Sequence, residues 1–462
     1  MSNPELKGRK VTVVGLARSG IAAARLCARE GAKVTVTDRR PAAELAPAVA
    51  ALGPEVRRRL GGHDLADFEQ ADLVVVSPGV PLANPELRAA RARGVTIWGE
   101  IELGWRFLPP GTPVVGVTGT NGKSTTTALV GALLSRDRRT FTGGNLGTPL
   151  CEHVLSGAPA DAVVVELSSF QLEGIDRFRA RVAAILNVTP DHLDRYPDVE
   201  AYAAAKARLF ARQEPGDAAI ANARDDRAMA MAGASRGERY TFGFGPAAPG
   251  AARMEEGEPG PGGAAIWIAP NGGAPERYLL RNRALRGRHN RENAMAALLC
   301  ARLVGVPGAA AQAGLDAFPG LPHRLELVSE RNGVEWVNDS KATNVDSTYV
   351  GLAAFPASTP RVVLIMGGHG KRAPYAPLAP LFAGRVKALL TIGEDAPAIE
   401  RELGGLAPTE SCGTLAGAAR RAAALVGPGD VVLLSPACSS YDQFANYEER
   451  GEAFRRLARE HA

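Results

Sequence analysis

Residues 114–130 hold the groups best suited to chemistry. The apolar run Val114-Val115-Gly116-Val117-Thr118 leads into Gly119-Thr120-Asn121-Gly122-Lys123-Ser124-Thr125-Thr126, and a helical pattern follows. Glycines in a strand-to-helix turn let backbone N–H groups converge on anionic oxygens, and the helix N-terminus adds positive partial charge. Lys123 is placed to reach β/γ-phosphates, and Ser124 to offer its hydroxyl to Mg²⁺. A bare turn with an exposed lysine is the alternative, and Gly-Lys-Ser directly after a strand argues against it. The general P-loop has a glycine five residues before Gly122, where this chain has Val117.

Further candidates end other predicted strands. Glu166 closes the strand 162–166, and a carboxylate beside such a loop holds Mg²⁺ directly or through water. The strand 183–187 runs on to Asp191, His192 and Asp194. His192 at that edge reads either as a structural hydrogen-bonder or as a ligand. Lys206, on the alanine-rich helix 199–210, is by itself an ordinary helix lysine. Asn290 and Asn293 share a helix face by i, i+3 spacing, suiting contacts to a base or simple capping. The strand 334–338 ends in Asp339-Ser340-Lys341-Ala342-Thr343-Asn344, and the strand 361–366 ends in a loop reaching Lys371. Each of these two lysines alone reads as an ordinary solvated lysine, whereas two of them on adjacent strand-end loops look more like an anion trap. The strand 431–434 ends in Ser435-Pro436-Ala437-Cys438-Ser439-Ser440-Tyr441-Asp442.

The elements that position these residues group into three α/β units, 1–111, 112–320 and 321–462. The first reads as Rossmann-like, with a strand 10–14, the turn Gly15-Leu16-Ala17-Arg18-Ser19-Gly20, a helix 21–30 and a strand 32–37 reaching Asp38. Ala17 replaces the middle glycine of the dinucleotide fingerprint, so another nucleotide such as a UDP group fits equally well. A strand 71–76 ends in Ser77-Pro78-Gly79 at the same edge. The proline-rich link 108–113 leads to a central parallel sheet of the P-loop type, and the third unit reads as a second Rossmann-like sheet. Within the central unit, 243–263 is rich in Gly, Pro and Ala and reads as an exposed loop with little fixed structure.

Bulk properties agree with a cytoplasmic enzyme. The chain has 462 residues, net charge +5 and no dense basic tract, which argues against a nucleic-acid surface. Its 5 cysteines are scattered without metal-ligand spacing, as suits buried thiols in a reducing compartment. The polar first ten residues do not read as a signal peptide, and no apolar run reaches membrane-spanning length.

On the loop 118–125, Glu166, His192, Asn290, Asn293, Arg324, residues 339–344 and Lys371, the chain resembles the Mur ligases along nearly its whole length. Three runs sharpen the likeness: Glu166-Leu167-Ser168-Ser169-Phe170-Gln171-Leu172-Glu173, Asp191-His192-Leu193-Asp194-Arg195-Tyr196-Pro197, and 435–444. The resemblance implies ATP-dependent addition of D-glutamate to UDP-N-acetylmuramoyl-L-alanine through an acyl phosphate, carried out in the cytoplasm by a monomer. The UDP part would meet Leu16, Ala17, Arg18, Ser19, Gly20, Asp38, Arg39, Ser77, Pro78 and Gly79, with Asn145 and His192 further along the substrate. ATP would lie on Gly119, Thr120, Asn121, Gly122, Lys123, Ser124, Thr125 and Thr126, with Asn290, Asn293, Arg324 and Asp339. Two Mg²⁺ ions would be held by Ser124, Glu166, His192 and Lys206, the last matching a lysine that the family carbamylates with CO₂. Lys123, Glu166, His192, Lys206 and Lys341 would carry catalysis. Thr343, Lys371, Ser440, Tyr441 and the Tyr447 backbone would hold D-glutamate, Tyr447 standing where phenylalanine is usual. A folylpolyglutamate synthase would share the loop but lacks a full first unit, and Ala17 disfavours an oxidoreductase.

Overall fold

The computed structural model describes residues 5–246, 250–254, 264–270, 273–371 and 373–461, and every count below refers to these. The chain forms two compact units, Met1–Leu280 with Glu292–Asp316, and Arg281–Arg291 with Ala317–Ala462.

The first unit contains two sheets. Its N-terminal sheet has five parallel strands, Lys10–Val14, Lys33–Asp38, Arg57–Leu60, Leu73–Val76 and Thr96–Gly99. Counted along the chain, their spatial order is 3-2-1-4-5. Valine-rich strands buried on both faces suit a sheet covered by helices. The order reverses at the first strand, and the turn after it and the loop after the fourth strand flank that switch point, where open α/β sheets take ligands. The arginine-rich edge strand Arg57–Leu60 carries no alternating apolar signal, and the sequence reading passed over it.

The central sheet has nine strands: Val114–Thr118, Thr140–Gly144, Ala162–Glu166, Val182–Ile185, Ala218–Asn222, Glu238–Phe244, Ala251–Met254, Ala264–Ile268 and Glu276–Leu280. Their order is 9-8-7-6-5-4-1-3-2, and only the last two pairings along the chain are antiparallel. One expectation is corrected. Ala251–Met254, inside the stretch read as a loop, is a strand lying parallel to Glu238–Phe244, with Ala251, Ala252 and Met254 buried. With only four residues, Ala-Ala-Arg-Met, it gives no alternating pattern to read. Residues 247–249 and 255–263 of that stretch lie outside the described residues.

The helix Glu100–Arg106 joins the two sheets. Ile101 and Trp105 enter the core under the central sheet, while Leu103 and Phe107 enter the core of the N-terminal one. Glu102 between them is fully buried. Its carboxylate accepts N–H groups of Asp176, Arg177 and Phe178 at 2.8–3.1 Å, and Arg106 Nε donates to it at 2.6 Å. A charge so deeply buried persists only when paired and hydrogen-bonded. The helix therefore locks both sheets into one unit, and the proline stretch that follows lies inside it.

The second unit has six strands, Glu326–Arg331, Val334–Asn338, Val362–Gly367, Val386–Ile392, Thr409–Gly413 and Val431–Leu434, in the order 1-2-6-3-4-5. All pairs are parallel except the first two strands. No helix among the described residues is long and apolar enough to cross a membrane. All five cysteines are free thiols, four of them buried.

Candidate active site

The glycine loop follows the central strand Val114–Thr118. Gly122 caps the helix Lys123–Leu134 with φ +83°, in the left-handed region that favours glycine, and a Cβ there would overlap Asn293 Oδ1. Asn187 pins the loop: its carbonyl accepts Thr120 N–H at 2.9 Å and its Oδ1 accepts Asn121 N–H at 2.8 Å. Lys123 folds back, donating from Nζ to the carbonyls of Gly119 at 2.9 Å and Thr120 at 2.8 Å. The buried hydroxyls of Thr126 and Thr127 have no hydrogen-bond partner among the described residues.

Glu166 ends the neighbouring strand, in register with Val117. Its Oε1 accepts Asn145 Nδ2 at 2.8 Å, whereas Oε2 is buried with no hydrogen-bond donor among the described residues. Lys206 is only 1 % exposed, and its Nζ donates to Gly119 O at 2.9 Å, the carbonyl that also receives Lys123. Burial, then the charge of Lys123, brings the Lys206 ammonium down to about 7, against the pull of Asp191 and Glu166. Among the described residues no three His, Cys, Asp or Glu side chains cluster as a metal site. An orphaned carboxylate oxygen beside a phosphate-type loop nevertheless fits Mg²⁺, which takes few protein ligands and shares phosphate oxygens. Glu166 could hold such an ion, and Ser124, in the first turn of the helix Lys123–Leu134, could offer a hydroxyl.

His192 stands further out. Its backbone is in the left-handed region at φ +53°, and its ring lies 4.8 Å from Phe170 and 6.0 Å from Tyr202, centroid to centroid. Tyr202 in turn carries Lys206 Nζ 4.5 Å over its ring. Sequence reasoning passed over the neighbouring Arg195. Its guanidinium lies 4.0 Å over Phe170, pairs with Glu173 at 2.8 Å, and donates to Pro78 O at 3.2 Å and Val80 O at 3.5 Å. Arg195 thus ties the His192 loop to the loop after the fourth N-terminal strand. A charged residue beside an aromatic in the next run was the available signal.

At the N-terminal switch point a cavity of about 440 Å³ is lined by Gly15, Asp38, Arg39, His63, Gly79 and Asn84, among others. Gly20 lets the helix Arg18–Arg29 approach the first strand, since a Cβ would overlap Gly15 O. Ala17 caps that helix without a side-chain bond, and Ser77 Oγ donates to Gly15 O at 2.8 Å. Asp38 is taken by its own chain: Oδ2 accepts Leu16 N–H and Arg40 Nη2, both at 2.8 Å, and Oδ1 accepts Arg40 N–H at 2.9 Å. Burial opposes ionisation there, but the Arg40 guanidinium and the N–H donors hold the carboxyl down at about 2.

In the second unit Asp339 accepts Ser435 Oγ at 2.8 Å and Leu325 N–H at 3.2 Å, and burial raises it to about 7 despite Arg324. Lys341 lies 5.0 Å over the Tyr447 ring. Ser340 Oγ donates to the Tyr447 carbonyl at 2.8 Å. Arg450, 1 % exposed, donates to Ser340 Oγ and O, Cys438 O and Ser439 O at 2.9–3.2 Å, so it fastens the 339–344 and 435–442 loops together. Burial lowers its guanidinium to about 10. Nothing in its helical surroundings marked it in the sequence. Ser440 is buried, Thr343 is half-buried, and Lys371 and Tyr441 are exposed. Asn290 and Asn293 are both buried, one turn apart on Arg288–Leu303, and Asn290 Nδ2 donates to Arg286 O at 3.1 Å.

The chain matches three family descriptions: the MurD-like N-terminal domain of Mur ligases over residues 9–99, the Mur ligase middle domain over 117–301 and the Mur ligase glutamate ligase domain over 323–438. It is 79% identical over 462 residues to the UDP-N-acetylmuramoylalanine–D-glutamate ligase of Anaeromyxobacter dehalogenans, covering 100% of both chains. It is 53% identical over 463 residues to the enzyme of that name from Myxococcus xanthus, covering 98% of each. Among solved structures it is similar to the UDP-N-acetylmuramate-alanine ligase MurC of Thermotoga maritima, with TM-score 0.59 at 20% identity over 98% of this chain and 100% of that one. It is also similar to a type C pseudomurein peptide ligase of Methanothermus fervidus, with TM-score 0.58 at 18% identity over the same shares. These two likenesses concern the fold.

Proposed function

The chain belongs to the Mur ligase family, and on that premise we propose that it adds D-glutamate to UDP-N-acetylmuramoyl-L-alanine with consumption of ATP, a step in peptidoglycan-precursor synthesis. The observation that carries this reading is the 79% identity along the whole chain to a ligase of that name.

The chemistry must bring two anions together, because a substrate carboxylate attacks the γ-phosphorus of ATP and ADP leaves. The N–H groups at the start of Lys123–Leu134 and the Lys123 ammonium take up phosphate charge and fix the in-line geometry. Glu166 and Ser124 would hold a Mg²⁺ ion, which would supply Lewis-acid charge to the reacting phosphate. The product is an acyl phosphate, whose carbonyl carbon the D-glutamate amine attacks. Phosphate departs and the nitrogen loses a proton. We assign Lys341, Thr343, Lys371, Ser440, Tyr441 and the Tyr447 backbone to D-glutamate, whose two carboxylates call for cations and hydroxyls.

Lys206 has the further role of a carbamate. With its ammonium at about 7, roughly half of the side chain is a free amine at neutral pH. The nitrogen lone pair adds to the carbon of CO₂, a proton leaves the nitrogen, and a cation becomes an anionic oxygen donor beside Glu166. His192 and Asn145 complete this region. The functional division 1–111, 112–320 and 321–462, with UDP in the first part, ATP in the second and the amino acid in the third, completes the proposal, together with a monomeric state and a cytoplasmic location.

Phosphate release from ATP tests it, with UDP-N-acetylmuramoyl-L-alanine and D-glutamate, L-glutamate, L-alanine or meso-diaminopimelate in parallel. Release with D-glutamate alone is expected. Release with another amino acid would overturn the specificity, and no release from folded, Mg²⁺-replete protein would overturn the substrate.

A further inference from the structure

We propose that His63 reads the nucleoside of the UDP substrate, its Nε2 accepting a hydrogen bond from a uridine donor, the N3–H of uracil or the ribose 2′-hydroxyl. This rests on the N-terminal cavity being the UDP site.

The ring lines that cavity and stands edge-on to Phe68, centroids 5.6 Å apart. Its Nδ1 lies 2.8 Å from Thr37 Oγ1, and the same hydroxyl lies 3.2 Å from Gly62 O. Thr37 is fully buried and has one hydroxyl proton. Both contacts are hydrogen bonds together only when that proton goes to Gly62 O and the ring donates from Nδ1–H. A neutral imidazole protonated at Nδ1 is an acceptor at Nε2. Among the described residues Nε2 has no hydrogen-bond partner.

The other side-chain acceptors that line the cavity are engaged within the chain. An acid at the tip of the second strand is where a Rossmann-like sheet meets a ribose. Here both oxygens of Asp38 are spent on Leu16 and Arg40, and Asn84 Oδ1 faces Arg39 Nη2 at 3.4 Å. Among the side chains lining the cavity, His63 Nε2 is an acceptor with no hydrogen-bond partner among the described residues. The charged groups facing the ring are Glu86 from the helix Pro85–Ala92, and Arg39 and Asp38 from the second strand's end. Burial depresses the imidazolium, Glu86 and Asp38 oppose this and Arg39 assists, so the ring is neutral at pH 7.

The test is calorimetric titration of UDP, CDP and 2′-deoxy-UDP into the full chain, as wild type, His63→Asn and His63→Gln, at pH 8. Asparagine keeps an amide at the Nδ1 position toward Thr37 and ends short of Nε2, whereas glutamine carries an oxygen to the Nε2 position. His63→Asn should weaken UDP about three- to tenfold, the worth of one hydrogen bond, and His63→Gln should recover part of it. If uracil N3–H is the donor, the preference for UDP over CDP collapses in His63→Asn. If the ribose is the donor, the penalty for 2′-deoxy-UDP collapses instead. In wild type the affinity for UDP-N-acetylmuramoyl-L-alanine should fall as pH is lowered through the ring's titration, which burial places below its ordinary 6.5, because protonation replaces the acceptor by a donor, and His63→Asn should not follow. Unchanged binding in His63→Asn, equal weakening of all three nucleotides, or the same pH fall in the variant would overturn the inference while the UDP site stands. Wild type that binds no UDP would overturn the site and the inference together.

Discussion

The buried ammonium of Lys206 makes a prediction about stability that is independent of turnover. Its ordinary value is 10.5 and its folded value about 7. Between those limits the unfolded chain holds a proton that the folded chain has shed, so stability rises with pH there. The interval corresponds to about 5 kcal/mol at about 1.36 kcal/mol per pH unit. The penalty is nearly complete at pH 7, flat below about pH 6, and absent above about pH 10.5. Lys206→Met removes the titrating group and leaves a side chain of similar length. It also loses the bond to Gly119 O, but that loss is the same at every pH. In CO₂-free buffer the variant should therefore gain several kcal/mol relative to wild type as pH is lowered from 10 to 7, then stay level to pH 6. Urea unfolding of both proteins at half-unit pH steps reads this directly. Bicarbonate should stabilise only wild type, since only an amine adds CO₂. A Lys206→Met difference that does not change between pH 7 and 10 would refute both the buried charge and the supply of free amine that carbamylation needs.

Three other expectations concern the same unit. Gly122→Ala forces a left-handed backbone on a side chain that would overlap Asn293, at a cost of about 1–3 kcal/mol, and fluorescent-ATP titration should show at least about a tenfold loss of affinity. Glu102→Gln opposes an amide to N–H donors that a carboxylate now accepts, and should lower the first unfolding transition by about 3 kcal/mol in urea, with ATP affinity intact in the folded protein. Arg195→Ala frees the His192 loop from Pro78 and Val80. Steady-state kinetics should show a KM for UDP-N-acetylmuramoyl-L-alanine raised about tenfold or more and an unchanged KM for ATP, Arg195→Lys being intermediate. Equal changes in both constants would remove Arg195 from substrate positioning.

The strands were legible because each is a short, largely buried run of aliphatic residues that ends in a turn or a polar loop. Lys10–Val14, Ala162–Glu166, Val334–Asn338 and Val431–Leu434 fall where the pattern puts them. Arg57–Leu60 and Ala251–Met254 did not declare themselves. One is an edge strand with charged side chains, and the other is only four residues long and shows no alternation of apolar and polar side chains. The helix Glu100–Arg106 was invisible as a joint for a different reason. Its two apolar pairs serve different cores, and periodicity says only that a face is buried, not against what.

The site divides along a similar line. Strand ends and helix N-termini are positions suited to a phosphate or a cation, and they can be read from local pattern. Lys123, Glu166 and the 339–344 loop stand at such positions, where the pattern puts them. Residues that act through other residues obey no such local rule. Arg195 spans 117 positions to Pro78, and Arg450 spans 110 to Ser340. What makes each of them matter is a set of backbone carbonyls from distant loops, which have no sequence signature. Lys206 is the intermediate case. Its helix called it ordinary, and only 1 % exposure beside Lys123 turns it into an amine free to react near neutral pH. Chemistry at such a site is thus set twice, once by residue type at a strand end and again by burial, and only the first of these is written along the chain.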